Sequence, residues 1–191
     1  PSTVWGVKVG YFDNDANLDV ALSTGDSPTG SMRIFTGDGA GNFAPWYNAT
    51  LSGGTPQGRG LAIADFNNDG RPDVAVGNIL SGTIETFINN VGTTMNVGAI
   101  LPAFSAFDVT VGDFNGDANM DIAATGYGGG QLFVYFGNGL GGFAAAPSSP
   151  YAIGTPNAAG ISADDFDNDG DIDIAVNTNV SLHIFANNGT G

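Results

Sequence analysis

Apolar residues along this chain come in short runs separated by clusters of Asp, Asn and Gly, and the pattern recurs four times. In the second recurrence Leu61-Ala-Ile-Ala64 enters an acidic loop, Val74-Ala-Val76 leaves it, and Thr83-Ile-Glu-Thr-Phe-Ile88 follows a Gly-containing turn. The third reads Val109-Thr-Val111, Ile122-Ala-Ala124 and Gln131-Leu-Phe-Val-Tyr-Phe136, then an outer segment from Phe143 after Gly137-Asn-Gly-Leu-Gly-Gly142. Runs this short, rich in β-branched and aromatic residues, predict strands, and three or four of them per unit of about 50 residues predict the blades of a β-propeller. The expected fold is therefore all-β, in antiparallel blades spanning residues 1–53, 54–104, 105–156 and 157–191. Small residues crowd the first two strands (Ala62, Ala64, Ala75, Ala123, Ala124, Ala163, Ala175), as expected near a central axis. Bulky Phe35, Phe87, Phe133, Phe136 and Phe185 fall on the third strand, where the space between blades widens.

The acidic loops are four copies of one nonapeptide, beginning at residues 11, 65, 113 and 165. They read Tyr11-Phe-Asp-Asn-Asp-Ala-Asn-Leu-Asp19, Asp65-Phe-Asn-Asn-Asp-Gly-Arg-Pro-Asp73, Asp113-Phe-Asn-Gly-Asp-Ala-Asn-Met-Asp121 and Asp165-Phe-Asp-Asn-Asp-Gly-Asp-Ile-Asp173. Oxygen ligands at alternate positions of a tight loop can converge on one hard cation. Calcium takes six to eight oxygens at roughly 2.3–2.6 Å, which side chains at positions 1, 3, 5 and 9, a backbone carbonyl at 7 and water can supply. Magnesium demands stricter octahedral geometry and sheds water reluctantly. The candidate ligands are Asp13, Asp15, Asn17 and Asp19 in loop one and Asp65, Asn67, Asp69, Arg71 (through its carbonyl) and Asp73 in loop two. Loop three offers Asp113, Asn115, Asp117, Asn119 and Asp121, and loop four Asp165, Asp167, Asp169, Asp171 and Asp173. Up to four Ca2+ ions are expected. Without a cation, three or four carboxylates this close would repel by several kcal/mol in total at an effective dielectric near 20.

Charge and composition narrow the partners. Of 19 acids 18 are Asp, mostly in these loops, and the formal net charge is −15. Only Lys8, Arg33, Arg59 and Arg71 could meet phosphate, which argues against nucleic acid. A hydrophobic fraction of 42% argues against a disordered acidic tail. Absent cysteine leaves the redox compartment unread, and no apolar stretch reaches the 18 residues of a membrane span.

Val111-Gly-Asp-Phe-Asn-Gly-Asp117 with Asp121-Ile-Ala, and the turns Phe136-Gly-Asn-Gly-Leu-Gly-Gly-Phe143 and Phe35-Thr-Gly-Asp-Gly-Ala-Gly-Asn-Phe43, resemble the FG-GAP or VCBS-type repeats of calcium-binding β-propellers, a group that includes the integrin α-subunit head. The resemblance implies a secreted or cell-surface module for adhesion or ligand recognition, its calcium holding the loops between first and second strands. Two departures bear on affinity. Tyr11 replaces the Asp of position 1, so loop one is expected to be weakest. Ala16 and Ala118 stand where loops two and four have Gly70 and Gly170, which disfavours a positive φ there.

If strands alternate up and down, the face opposite the acidic loops carries Trp5, Arg59 and Tyr127, with Asp26, Ile79 and Leu80, and these are the candidate ligand contacts for a protein or carbohydrate. The alternatives are a lectin on the same scaffold, a polysaccharide lyase using Tyr127 or His183 as base, and a subunit of an extracellular filament. Asn48-Ala-Thr50, Asn179-Val-Ser181 and Asn188-Gly-Thr190 match glycosylation acceptors. The fourth repeat shows no outer strand, which predicts either a larger propeller or pairing of that open edge with another chain.

Overall fold

Strand-forming runs broken by acidic loops build four antiparallel sheets in the computed structural model, which describes residues 3–25, 30–53 and 56–189. The first sheet is β1 (Val4–Gly10), β2 (Asp19–Thr24), β3 (Ser31–Gly37) and β4 (Phe43–Thr50), in that order. The second repeats it with β5 (Gly58–Ala64), β6 (Asp73–Asn78), β7 (Thr83–Asn90) and β8 (Thr94–Pro102). The third comprises β9 (Ala106–Gly112), β10 (Asp121–Gly126) and β11 (Gln131–Gly137), whose outer edge is covered by two short pieces, β12 (Phe143–Ala145) and β13 (Tyr151–Ala152). The fourth has three strands among the described residues: β14 (Gly160–Asp164), β15 (Asp173–Asn177) and β16 (Leu182–Phe185). No helix among the described residues is long and apolar enough to cross a membrane. Asp26 lies outside the described residues.

The innermost strands stack in chain order, β1 on β5, β5 on β9 and β9 on β14, so the sheets succeed one another as blades. Three apolar cores fill the spaces between them. Ala21, Met32 and Ile34 of blade one meet Leu61, Val74, Val76 and Phe87 of blade two. Ala62, Ala75 and Ile84 on the other side of blade two meet Val109, Ile122, Phe133 and Tyr135 of blade three. Ala123, Leu132 and Val134 then meet Ile174 and Val176 of blade four. A blade between two others buries both faces, which is why β6 and β10 are buried at every position and read as continuous rather than alternating apolar runs. Small Ala62 and Ala75 of blade two pack against the larger Ile122, Phe133 and Tyr135 of blade three, so the layers interdigitate.

Candidate metal loops and the opposite face

One register recurs in all four blades. Gly10 pairs with Asp19, Ala64 with Asp73, Gly112 with Asp121 and Asp164 with Asp173, so every acidic loop leaves and re-enters its sheet at the same point. The Asp at position 9 is buried in each copy. Its Oδ2 accepts from the amide of the loop's own Phe: Phe12 (2.7 Å), Phe66 (2.8 Å), Phe114 (2.8 Å) and Phe166 (3.0 Å). Its Oδ1 accepts from an amide at or just past the end of the third strand: Gly37 (2.9 Å), Asn89 (2.8 Å), Gly137 (2.7 Å) and Asn187 (2.7 Å). Position 9 therefore clamps the loop to the third strand, a role that ligand spacing alone does not disclose. Burial pushes the carboxyls of Asp73 and Asp121 up to about 6, against the lowering effect of the two amides each accepts.

Position 1 braces the loop from within. In loops two, three and four one oxygen of Asp65, Asp113 or Asp165 accepts from the amide at position 5 (3.1, 3.1 and 3.2 Å). The other oxygen accepts from position 6, at Gly70 (2.6 Å), Ala118 (2.8 Å) and Gly170 (3.0 Å). This wrapping needs a positive φ at position 6, found at Gly70 (83°), Gly170 (97°) and also Ala118 (66°). Loop three thus keeps the common shape, with alanine held in a left-handed conformation that costs roughly 1–2 kcal/mol. In loop one Tyr11 offers no carboxylate, Ala16 does not take a positive φ, and the chain follows Asp15 amide to Asp13 (2.9 Å) and Asn17 amide to Asp15 (2.7 Å) instead. The missing carboxylate and the missing left-handed turn are thus one difference, because the amide of position 6 has nothing to wrap around.

Carboxylate oxygens of Asp13, Asp15 and Asp19 can lie within 4.8 Å of one another, and so can those of Asp165, Asp167 and Asp173. Oxygens sharing a calcium at about 2.3–2.6 Å stand no more than about 5 Å apart, so both triads fit that ion. Loops two and three carry Asn67 and Asn115 at position 3, and their amides bond to Asp69 and Asp117 (both 3.2 Å). Arg71 brings a competing cation to loop two, with Nη1 3.4 Å from Asp69 Oδ2. Desolvation, followed by the nearby carboxylates, holds Asp13 and Asp167 above the ordinary carboxylate range, although the amides that Asp15 and Asp169 donate to them lower it. Loop four, with five aspartates and an intact brace, is expected to bind calcium more tightly than loop one. Asp169→Ala should accordingly lower the calcium-loaded melting temperature more than Asp15→Ala; equal shifts for the two variants would contradict this order.

Loops one, two and three are each also held by the blade that follows. The carbonyl of Phe12 accepts from Asn89 Nδ2 (2.8 Å), that of Phe66 from the Gly141 amide (2.9 Å), and that of Phe114 from Asn187 Nδ2 (2.7 Å). Asn14 Nδ2 reaches the Val91 carbonyl (3.0 Å), and Asn68 Nδ2 reaches Asn119 of the next loop (3.0 Å). The turn between third and fourth strands of one blade thus lies against the acidic loop of the blade before.

A model of the FG-GAP-like repeat matches residues 11–76 and 113–176, two stretches that contain all four loops. The chain belongs to the FG-GAP-like repeat family. It is also 36% identical over 74 residues to cartilage acidic protein 1 of Xenopus tropicalis, a match that covers 38% of this chain and 11% of that protein's length.

At the far end of the first strands these FG-GAP-like repeats carry a second cluster. Counting back five residues from the shared register point gives Trp5, Arg59 and Phe107 in blades one to three and Ala159 in blade four. Ladder register slips beside Trp5, Arg59 and Phe107, between Val4 and Gly6, Gly58 and Leu61, and opposite Ala124 to Gly126, while β14 and β15 pair without a slip. Such bulges re-aim side chains out of the ladder. The Arg59 guanidinium carbon lies 3.6 Å from the centroid of the Trp5 ring and 5.2 Å from that of Phe107, which stacks on Tyr127 at 5.0 Å and 25°. Gln57 Oε1 accepts from Arg59 Nη2 (2.9 Å), and desolvation lowers the guanidinium from its ordinary value. Trp5, Arg59 and Tyr127 thus come together, with Phe107 as a member that sequence spacing did not single out. His183 lies elsewhere, its Nε2 at 2.7 Å from Ser181 Oγ and 3.1 Å from Thr155 Oγ1.

Proposed function

We propose that this chain is a calcium-stabilised recognition module of an extracellular or cell-surface protein, binding a protein or carbohydrate ligand through the face opposite its acidic loops. The observation that carries this reading is the stack of Trp5, Arg59, Phe107 and Tyr127. Three bulges at one repeat position converge a cation and two rings, Tyr127 stacks on Phe107 from the β10–β11 turn, and the indole and phenol remain partly exposed. Aromatic and Arg side chains dominate binding hot spots because they offer large area with few rotatable bonds. The metal on this reading is structural, since it sits at the other end of the same strands. A carbohydrate ligand is favoured as the second reading by the exposed ring area of Trp5, which suits stacking on a sugar.

The test is binding of the calcium-loaded chain to a glycan array and to a panel of extracellular-matrix proteins, repeated with Trp5→Ala and Arg59→Ala. A ligand found in either panel is expected to lose at least tenfold in affinity with each variant, with calcium-dependent melting retained. Binding that is insensitive to both substitutions, or lost only when the acidic loops are altered, would overturn the reading.

A further inference from the structure

Arg59 is the one cation in the cluster at the far end of the first strands, and it has no acid beside it. Arginine offers five N–H donors, yet Arg59 uses only Nη2, which donates to the neutral Gln57 Oε1 (2.9 Å). Its Nε is buried without a hydrogen-bond partner, and no carboxylate lies within ion-pair distance of it among the described residues. Asp108, next to Phe107 in the chain, is bonded instead to the amides of Val109 (3.0 Å) and Ile161 (3.3 Å). A guanidinium partly withdrawn from water without a counter-charge is costly, and aromatic rings are what hold this one, Trp5 at 3.6 Å and Phe107 at 5.2 Å. Stacked on the indole, it keeps its edge for hydrogen bonding, and that edge is the fork that takes a carboxylate through two parallel bonds.

We propose, resting on the recognition face put forward above, that its ligand is an acidic carbohydrate, one carboxylate meeting the Arg59 edge while pyranose rings lie on Trp5 and Tyr127. Arg59 already fills the space between Trp5 and Phe107, and Phe107 lies against Tyr127 at 5.0 Å and 25°. An inserted peptide side chain, the usual anchor of a protein hot spot, therefore has no slot between these groups. A flat ligand lying across them does. The outward ring area is large: Trp5 is 49% exposed, Tyr127 36%, and Phe104, brought beside Tyr127 by the bond from the Tyr127 amide to the Ser105 carbonyl (3.0 Å), 62%. The C–H face of a sugar stacks on such rings, and a uronate carries its carboxylate at the rim of the sugar, where it can reach past the aromatic beneath. The formal charge of −15 does not oppose an acidic ligand at this place. The acidic loops begin beyond the register points, five residues further along the first strands. That is roughly 17 Å at about 3.4 Å per residue, twice the screening length of about 8 Å at physiological ionic strength.

Calorimetric titration of the whole calcium-loaded chain with a β-1,4-linked glucuronate trimer and with cellotriose tests this, since the two differ only in carboxylate against hydroxymethyl on each ring. The glucuronate trimer is expected to bind at least tenfold more tightly, with a preference that shrinks severalfold between about 50 and 300 mM salt. Arg59→Gln should level the two sugars. Arg59→Lys, which keeps the charge and loses the fork, should retain part of the preference, and Trp5→Ala should weaken both sugars, with calcium-dependent melting kept in all three variants. Equal binding of the two sugars to the unaltered chain, or a preference that survives Arg59→Gln, would overturn the acidic ligand and leave the recognition face standing. Tighter binding of hexaglutamate than of the trimer, lost with Arg59→Gln, would place the acid on a protein and overturn the carbohydrate. If neither these sugars nor any member of the glycan and protein panels binds in a way that Trp5→Ala weakens, the face itself fails and its acidic ligand with it.

Discussion

Removal of calcium is expected to lower the melting temperature of this chain by roughly 10–20 °C. Each ion that binds only the folded state stabilises it by about 2.7 kcal/mol at a hundredfold excess over its Kd. Two filled sites give about 5 kcal/mol, and in a domain of this size each kcal/mol moves the midpoint by roughly 2–4 °C. The sign of the pH effect follows from Asp73 and Asp121, pushed up to about 6 by burial. Their folded values lie above the ordinary carboxylate range, so the metal-free fold holds protons more tightly than the unfolded chain. Raising the pH from about 4 through about 6 then costs the metal-free protein stability, whereas calcium in loops two and three requires these carboxylates ionised and offsets that loss. The gap between scans in millimolar calcium and in excess chelator should widen across this range. Identical midpoints in the two conditions at pH 7 would remove the metal from any structural role.

The second large effect belongs to position 9. Asp121→Ala leaves two buried amides, those of Phe114 and Gly137, without their acceptors. Each buried donor left unpaired costs about 1–3 kcal/mol, so a loss of about 2–6 kcal/mol is expected. The loss should persist in chelator, because the clamp does not depend on an ion. Asp117→Ala, at an exposed position of the same loop, should destabilise in calcium and do little in its absence. Urea titrations of both variants, with and without calcium, separate the clamp from the ligand. A loss for Asp121→Ala that disappears in chelator would mean that position 9 acts through the metal alone.

The blades and the acidic loops were legible because each depends on local signals: apolar runs between Gly and Asp clusters, and carboxylates at fixed spacing. The odd character of loop one was equally legible from Tyr11. Its consequence was not, because alanine stands at position 6 in both loops one and three, yet only Ala118 takes the left-handed conformation. The deciding residue is five positions upstream, where Asp113 accepts the Ala118 amide and Tyr11 has nothing to offer Ala16. The clamp by position 9 was hidden by its resemblance to a ligand. Its available signal was the Phe at position 2 of every loop, an apolar side chain beside the Asp and Asn of the segment, which is buried in loops one to three and carries its amide inward. Phe107 escaped notice because register slips, which no alternation pattern records, bring it beside Arg59.

Because the carbonyls of Phe12, Phe66 and Phe114 are each capped by the following blade, the unit that is repeated in sequence differs from the unit that can stand alone. A fragment cut at the repeat boundaries would separate an acidic loop from the groups that hold its shape. One cut from the first strand of one blade through the third-strand turn of the next would keep them together. Phe166, whose loop is capped by no blade among the described residues, is 44% exposed where its three counterparts are buried. Dependence along this chain therefore has a direction. Damage to a later blade weakens the loop before it, while an earlier blade can be lost with less harm to the loops that come after.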